Sequence, residues 1–185
     1  MTVAGCRDAF DPAKPIDVIA SGAWTDVQRA DLDHAAPCWN LGFGMDYRTD
    51  TSADEQQVRV EFDELMCLNP DDWAWTSMGF DTKVTLCPDH FAPPGEVFPD
   101  ELFGILTHEL GHVAGIPVQV DDPGSIMGGV EPRLLFDRRG RPIFSAEDHA
   151  LFAQYNPDFA PPVVCDPVVD VVSAPGLRCA CPMTD

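Results

Sequence analysis

The sequence has little positive charge and no long apolar run. Lysine and arginine number 11 against 31 aspartates and glutamates, a formal net charge of −20 over 185 residues. Nucleic acids and anionic membrane surfaces need a basic footprint, so neither is expected as a partner. No stretch approaches the roughly 20 apolar residues of a membrane span, so no transmembrane segment is expected. Internal repeats are absent, and so is EF-hand spacing. The excess of acid reads first as a means of staying soluble, with a basic substrate or calcium as further options. Asp46, Asp50 and Asp54 are the loop acids that could hold calcium. A monomer is expected.

Cysteine, by contrast, is plentiful. Seven are many for a cytosolic chain of this length. Outside the cytosol they read as disulfides, which implies an extracytoplasmic, secreted or cell-surface setting. Seven is odd, and the start of the chain offers a reason. Val3-Ala4-Gly5-Cys6 resembles the lipobox at which bacterial lipoproteins are cleaved and lipidated. On that reading Cys6 carries a lipid anchor and six cysteines remain for three bridges. The apolar stretch that should precede such a box is missing, since only Met1 and Thr2 stand before it. Cys67 and Cys87 flank a segment with Trp73 and Trp75 and are expected to pair. The connectivity of Cys38, Cys165, Cys179 and Cys181 stays open.

Residues 1–14 read as a leader or linker, 15–156 as one domain, and 157–185 as a Pro- and Cys-rich tail. Within the domain, 15–20 alternates like a strand. Thr25 and Gln28 form a capping box for a helix through Ala35, Ala36 and Trp39, which Pro37 should kink or end early. Val58, Val60 and Phe62 alternate with Arg59 and Glu61, giving a half-buried strand over 57–62. Residues 82–87 form another. Four prolines make 88–99 a loop. A helix is expected over 100–115, stopped by Pro117. Arg138-Arg139-Gly140-Arg141 reads as an exposed loop, and Ser145 caps a last helix ending before Pro157.

The helix over 100–115 carries the chemistry. At 100° per residue it separates into two faces. Phe103, Leu106, Leu110, Val113 and Ala114 form the core face; Gly104, His108, Gly111, His112 and Gly115 lie on the other. His108 and His112 are one turn apart, so both imidazoles project to one side. Glycine costs a helix about 1 kcal/mol each relative to alanine, so the three on that side imply room for a metal, a substrate or a close-packed strand. His108-Glu109-Leu110-Gly111-His112 has the His-Glu-x-x-His spacing of zinc hydrolases. Two neutral imidazoles suit zinc, and a catalytic zinc keeps a position open for water, whose pKa it lowers to about 7. Glu109, at the metal's flank, is then the general base.

The run from Thr107 to Pro117, followed by Asp122-Pro123-Gly124-Ser125-Ile126-Met127, resembles the metzincin clan, its matrixin-like branch above all. Trp24-Thr25 before a helix with Ala35, Ala36, Trp39 and Asn40 is similar to the first matrixin helix, and 145–155 to the last. The resemblance covers about residues 15 to 156 and is specific only around the zinc helix. It implies an α+β fold, a twisted mixed sheet of about five strands with three helices, and a zinc metalloendopeptidase acting on peptide or protein laid along a cleft beside an edge strand. It implies His108 and His112 as metal ligands, Glu109 as base, Gly115 as the turn out of the helix and Met127 as the Met-turn. The family pattern places a third ligand three residues beyond that glycine, where this chain has Val118. Asp121 is taken as the substitute ligand. Asp122, or a remote group such as His149, His90 or a tail thiol, is the other route. With only two ligands the domain would instead be a catalytically inactive surface binding module. Arg178-Cys179-Ala180-Cys181-Pro182 faintly resembles the inhibitory cysteine segment of matrixin propeptides, at the wrong end of the chain.

Overall fold

Apolar alternation builds the main sheet. In β1 (Ile16–Ser21) Ile16 and Val18 are fully buried, in β3 (Gln57–Phe62) Val58 and Val60, and in β5 (Lys83–Leu86) Val84 and Leu86. These side chains share one face because period-two alternation puts them there. The computed structural model describes residues 10–49, 56–66, 73–79, 81–91, 99–122, 124–128, 135–136, 142–159 and 179–180. Among these residues no helix is long and apolar enough to cross a membrane. The lipobox at Cys6, the arginine loop of 138–141, Cys67, Cys165, Cys181, Asp50 and Asp54 lie outside them. Cys87 is disulfide-bonded.

Two further strands complete a five-stranded sheet, β2 (Tyr47–Arg48) and β4 (Ala74–Ser77), in the order β2-β1-β3-β5-β4. All neighbours are parallel except β4, which runs antiparallel to β5 with Thr76 opposite Val84. Thus β4 is an edge strand. Neither β2 nor β4 was expected from the sequence. Two residues are too few to show alternation, and in β4 the buried-exposed rhythm is flattened because three of its four residues are partly buried.

Two helices pack on the core face of the sheet. α1 (Asp26–Phe43) opens with the expected capping box, Thr25 Oγ1 accepting from Gln28 N and Gln28 Oε1 from Thr25 N. Pro37 does not end it: the helix runs on to Phe43 and closes at Gly44, whose φ of 68° is the left-handed cap glycine allows. Beyond Pro37 the last turns bury Cys38, Trp39 and Phe43, and this packing outweighs one lost hydrogen bond. α2 (Pro99–Val113) lies against α1 and β4. Trp39 Nε1 donates to Thr107 O at 2.8 Å, and Tyr47 Oη to Leu110 O at 2.8 Å. Both tie α2 to earlier parts of the chain through groups that burial forbids to stay unpaired.

The expected division of α2 into a core face and an open face is not what forms. Leu102 and residues 104–111 are all buried, so both faces of α2 are largely covered, with Glu109 and His112 left beside a cleft. From the C-terminal part, Met127 packs against Gly111 and Asn156 bonds to Ala114 O at the helix end. In the same part β6 (Leu135–Phe136), β7 (Pro142–Phe144) and β8 (Cys179–Ala180) form a small antiparallel sheet in that order. α3 (Ala146–Tyr155) starts at the cap Ser145, and Phe144 and Phe152 stack around Trp39 and Phe43. The tail, expected to be irregular, therefore contributes a strand at 179–180.

Candidate metal centre

α2 ends in the way its sequence requires. Gly115 has φ +90°. Ile116 N donates to Gly111 O and Gly115 N to His112 O, the paired bonds of a Schellman turn. Asn156, at the end of α3, adds its Nδ2–H to Ala114 O at 2.9 Å. The turn throws Ile116 back against the helix, and its carbonyl lies 2.7 Å from His112 Nδ1. His108 Nδ1 lies 2.6 Å from Ile126 O. A carbonyl can only accept, so each Nδ1 carries the proton. Each Nε2 is thereby left as a lone-pair donor of fixed direction.

The two rings stand perpendicular with centroids 4.8 Å apart. One ligand atom from each of His108, Glu109 and His112 lies within 4.8 Å of the others, a group able to hold a metal ion. His108 is 3% and Glu109 4% exposed. Burial, and then His112 beside it, lowers the His108 pKa to about 4; burial lowers that of His112 as well. Both imidazoles are therefore neutral at pH 7, as metal ligation demands. Burial raises Glu109 to about 7, against the pull of a hydrogen bond from Thr76. Thr76 Oγ1 lies 2.5 Å from Glu109 Oε2 and 3.3 Å from Glu109 O.

Met127, fully buried, packs against Gly111 of α2. A Cβ on Gly111 would collide with its sulfur and lie 2.8 Å from the Trp39 ring. The room implied by that glycine is thus taken by Met127 and Trp39. The turn carrying Met127 is fastened to α3. Asp148 Oδ1 accepts from Ser125 Oγ at 2.5 Å and Met127 N at 3.4 Å, and Oδ2 accepts from Ser145 N and Oγ at 2.6 and 2.8 Å. Since Ile126 O braces His108, this buried carboxylate holds the backbone that orients the His108 ring. In the sequence Asp148 is an ordinary acid in the first turn of the helix that Ser145 caps. Its tertiary role carries no local signal.

The cleft over the site holds about 410 Å³. Ala74, Trp75, Thr76 and Met78 form one wall along the edge strand β4; Gly115, Pro117 and Gln119 form the other; Glu109 and His112 lie between. Val118 packs, half-buried, against the hydrophobic core. Asp121 is exposed and outside the metal-binding group, and the structure does not bring it to the two histidines. Asp122 Oδ1 accepts from Gly124 N at 2.8 Å, which shapes the loop. His90 stacks on Trp73 and His149 against Phe43, so neither joins the group. Among the described residues no fourth His, Cys, Asp or Glu does. Asp46 pairs with Arg48. The cleft-facing Gln119 escaped sequence reasoning, because the turn at Gly115 sets which side chains of the following segment face inward.

A five-stranded mixed sheet with three helices among the described residues, and a His-Glu-x-x-His helix beside its edge strand, define a metzincin-like α+β fold. No protein-family model matches the chain, and no curated protein matches it in sequence. Among solved structures it is similar to an archaemetzincin from Methanopyrus kandleri, with TM-score 0.52 and 10% identity over 76% of this chain and 94% of that one. It also matches high choriolytic enzyme 1, a hatching-enzyme zinc protease of the medaka fish Oryzias latipes. There the TM-score is 0.33 and the identity 15%, over 53% of this chain and 42% of that one. At such identities likeness speaks for the fold alone, and the archaemetzincin carries it.

Proposed function

We propose that the protein is a zinc-dependent peptidase of the metzincin kind, nearest in its motifs to the matrixin-like branch. One observation carries the reading: two imidazoles on one helix are each fixed by a backbone carbonyl, leaving both Nε2 atoms beside a buried carboxylate at a cleft. This donor set fits zinc, with His108 and His112 holding it. When bound, zinc supplies a Lewis acid for a peptide carbonyl and acidifies water. The chain's own residues supply the rest. The free edge of β4 offers backbone groups to an extended peptide. Glu109 takes a proton on its carboxylate and returns it to the leaving amine. The disulfide at Cys87 supports an extracytoplasmic setting.

The test is hydrolysis of a denatured protein by the zinc-loaded chain. Glu109→Ala is expected to abolish cleavage while zinc stays bound, and undiminished cleavage by that variant overturns the reading. A second reading is a surface module that kept the cleft and lost the activity. Val118, half-buried against the core, and Asp121 in solvent favour it. Cleavage by the purified wild type decides against it.

A further inference from the structure

We propose that Thr76 is a positioning residue for Glu109, fixing which oxygen of the carboxylate faces the cleft. This rests on the peptidase reading above. Thr76 stands on the edge strand, opposite Val84, whose buried side chain marks the face turned to the helices. Its hydroxyl has two acceptors on Glu109, the carboxylate Oε2 at 2.5 Å and the main-chain carbonyl at 3.3 Å. One O–H donates fully to one acceptor, and the shorter, charge-assisted bond wins.

No other hydrogen bond to this carboxylate is made among the described residues. The hydroxyl therefore engages Oε2 and restrains the side-chain torsions, and Oε1 is left to meet water in the cleft that Glu109 lines. A glutamate without this contact would swing over several rotamers, and only some of them reach a proton on water over the histidines. The contact also couples two parts of the site. The strand that would pair with a peptide is the strand that holds the base, so a peptide seated on β4 stiffens the position of Thr76. The proton transferred in the reaction goes to Glu109 and not to Thr76, whose hydroxyl keeps its hydrogen throughout.

Two arms test this on the full chain. In the first, Thr76→Val, which keeps the shape and removes the hydroxyl, lowers kcat on a denatured protein or peptide by about tenfold to a hundredfold. KM changes less than about twofold, and zinc binding is unchanged. Thr76→Ser, which restores the hydroxyl, recovers most of kcat. A Val variant as fast as wild type, or a Ser variant as slow as Val, overturns the proposal. In the second, urea denaturation follows Thr76→Val in two backgrounds. The midpoint falls in the wild-type background and falls clearly less with Glu109→Ala, where the hydroxyl keeps only the main-chain carbonyl of residue 109 as acceptor. Equal falls in both overturn the proposal. If the wild type cleaves no peptide, the peptidase reading fails, and the second arm still decides whether Thr76 holds Glu109.

Discussion

Residues 108–116 and 117–122 form adjoining parts of the site under opposite rules. In the first stretch both His Nδ1 atoms are braced, the helix end is closed by a Schellman turn, and Met127 fills the space that Gly111 leaves. In the second, apolar Val118 and Val120 pack inward, Pro117, Gln119 and Asp121 are exposed, and the bonds serve the loop itself: Val120 N to Met127 O, Ser125 N to Asp122 O. The helical stretch is organised around the His108, Glu109 and His112 group, which is able to hold a metal ion. The following stretch is organised around the core. A candidate metal centre can thus be prepared to the level of tautomer on one side while, among the described residues, the adjoining chain adds no further His, Cys, Asp or Glu to it.

The change expected to break this contrast most completely is loss of a histidine. His112→Ala is expected to lower zinc affinity by at least about a hundredfold, since one of two fixed imidazoles is gone. Competition with a chromophoric chelator measures it. If zinc binding is unaffected, the prepared half is not the metal site.

Asp148→Ala comes next. It leaves Ser125 Oγ and the Ser145 N and Oγ donors without their carboxylate acceptor in the interior, while Met127 N keeps Ser125 Oγ at 3.0 Å. Unsatisfied buried groups of this kind cost about 2–4 kcal/mol together, to be read by urea denaturation. Zinc affinity should also fall several-fold, because Ile126 O, the brace of His108, rides on the turn that Asp148 holds. A stability loss with unchanged zinc affinity would show the brace to be independent of α3.

Gln119→His sharpens the contrast from the other side. Gln119 faces the cleft with His112 and Glu109, whereas Val118 faces the core. A histidine at 119 is expected to raise zinc affinity on the order of tenfold by adding a third imidazole. A histidine at 118 should raise it little and cost about 1–3 kcal/mol, since it puts a polar ring among apolar neighbours. The reverse order would mean that the chain after Gly115 can shift register to complete the site.

How much of this was legible follows the same division. The capping box at Thr25, the cap at Ser145, the strands over β1, β3 and β5, and the His-Glu-x-x-His helix with its glycine stop are all short-range patterns, where neighbouring residues determine one another. The cross-chain devices were not legible: Thr76 on Glu109, Asp148 on the Met127 turn, Asn156 on the end of α2. Each joins residues more than 20 positions apart and asks of the sequence only an ordinary Thr, Asp or Asn. Pro37 misled because helix propensity counts a lost bond and not the burial of Trp39 and Phe43 beyond it. Position 118 shows the limit of a motif. The pattern names where a ligand should stand, and packing decides that Val118 turns inward there while Gln119 faces the cleft.

The smallest effect concerns His149, away from the metal. Its ring lies 4.6 Å from that of Phe43, and its Nε2 is buried with no hydrogen-bond partner among the described residues. Burial lowers its pKa below the usual 6.5, and the neighbouring Asp148 only partly offsets this. The folded state then binds this proton less readily than the unfolded chain. The stability His149 contributes is full above about pH 6.5 and is lost as the pH falls below it toward the folded value. His149→Gln should therefore flatten the acid side of the stability profile and leave the plateau above pH 7 nearly unchanged in shape. Urea midpoints from pH 5 to 8 for both proteins, on metal-free samples, measure it. The buried histidines of the site have the same sign, so the wild-type slope persists in part. Only the difference between the two curves reports His149, and a constant difference across that range would show that the ring titrates alike in both states.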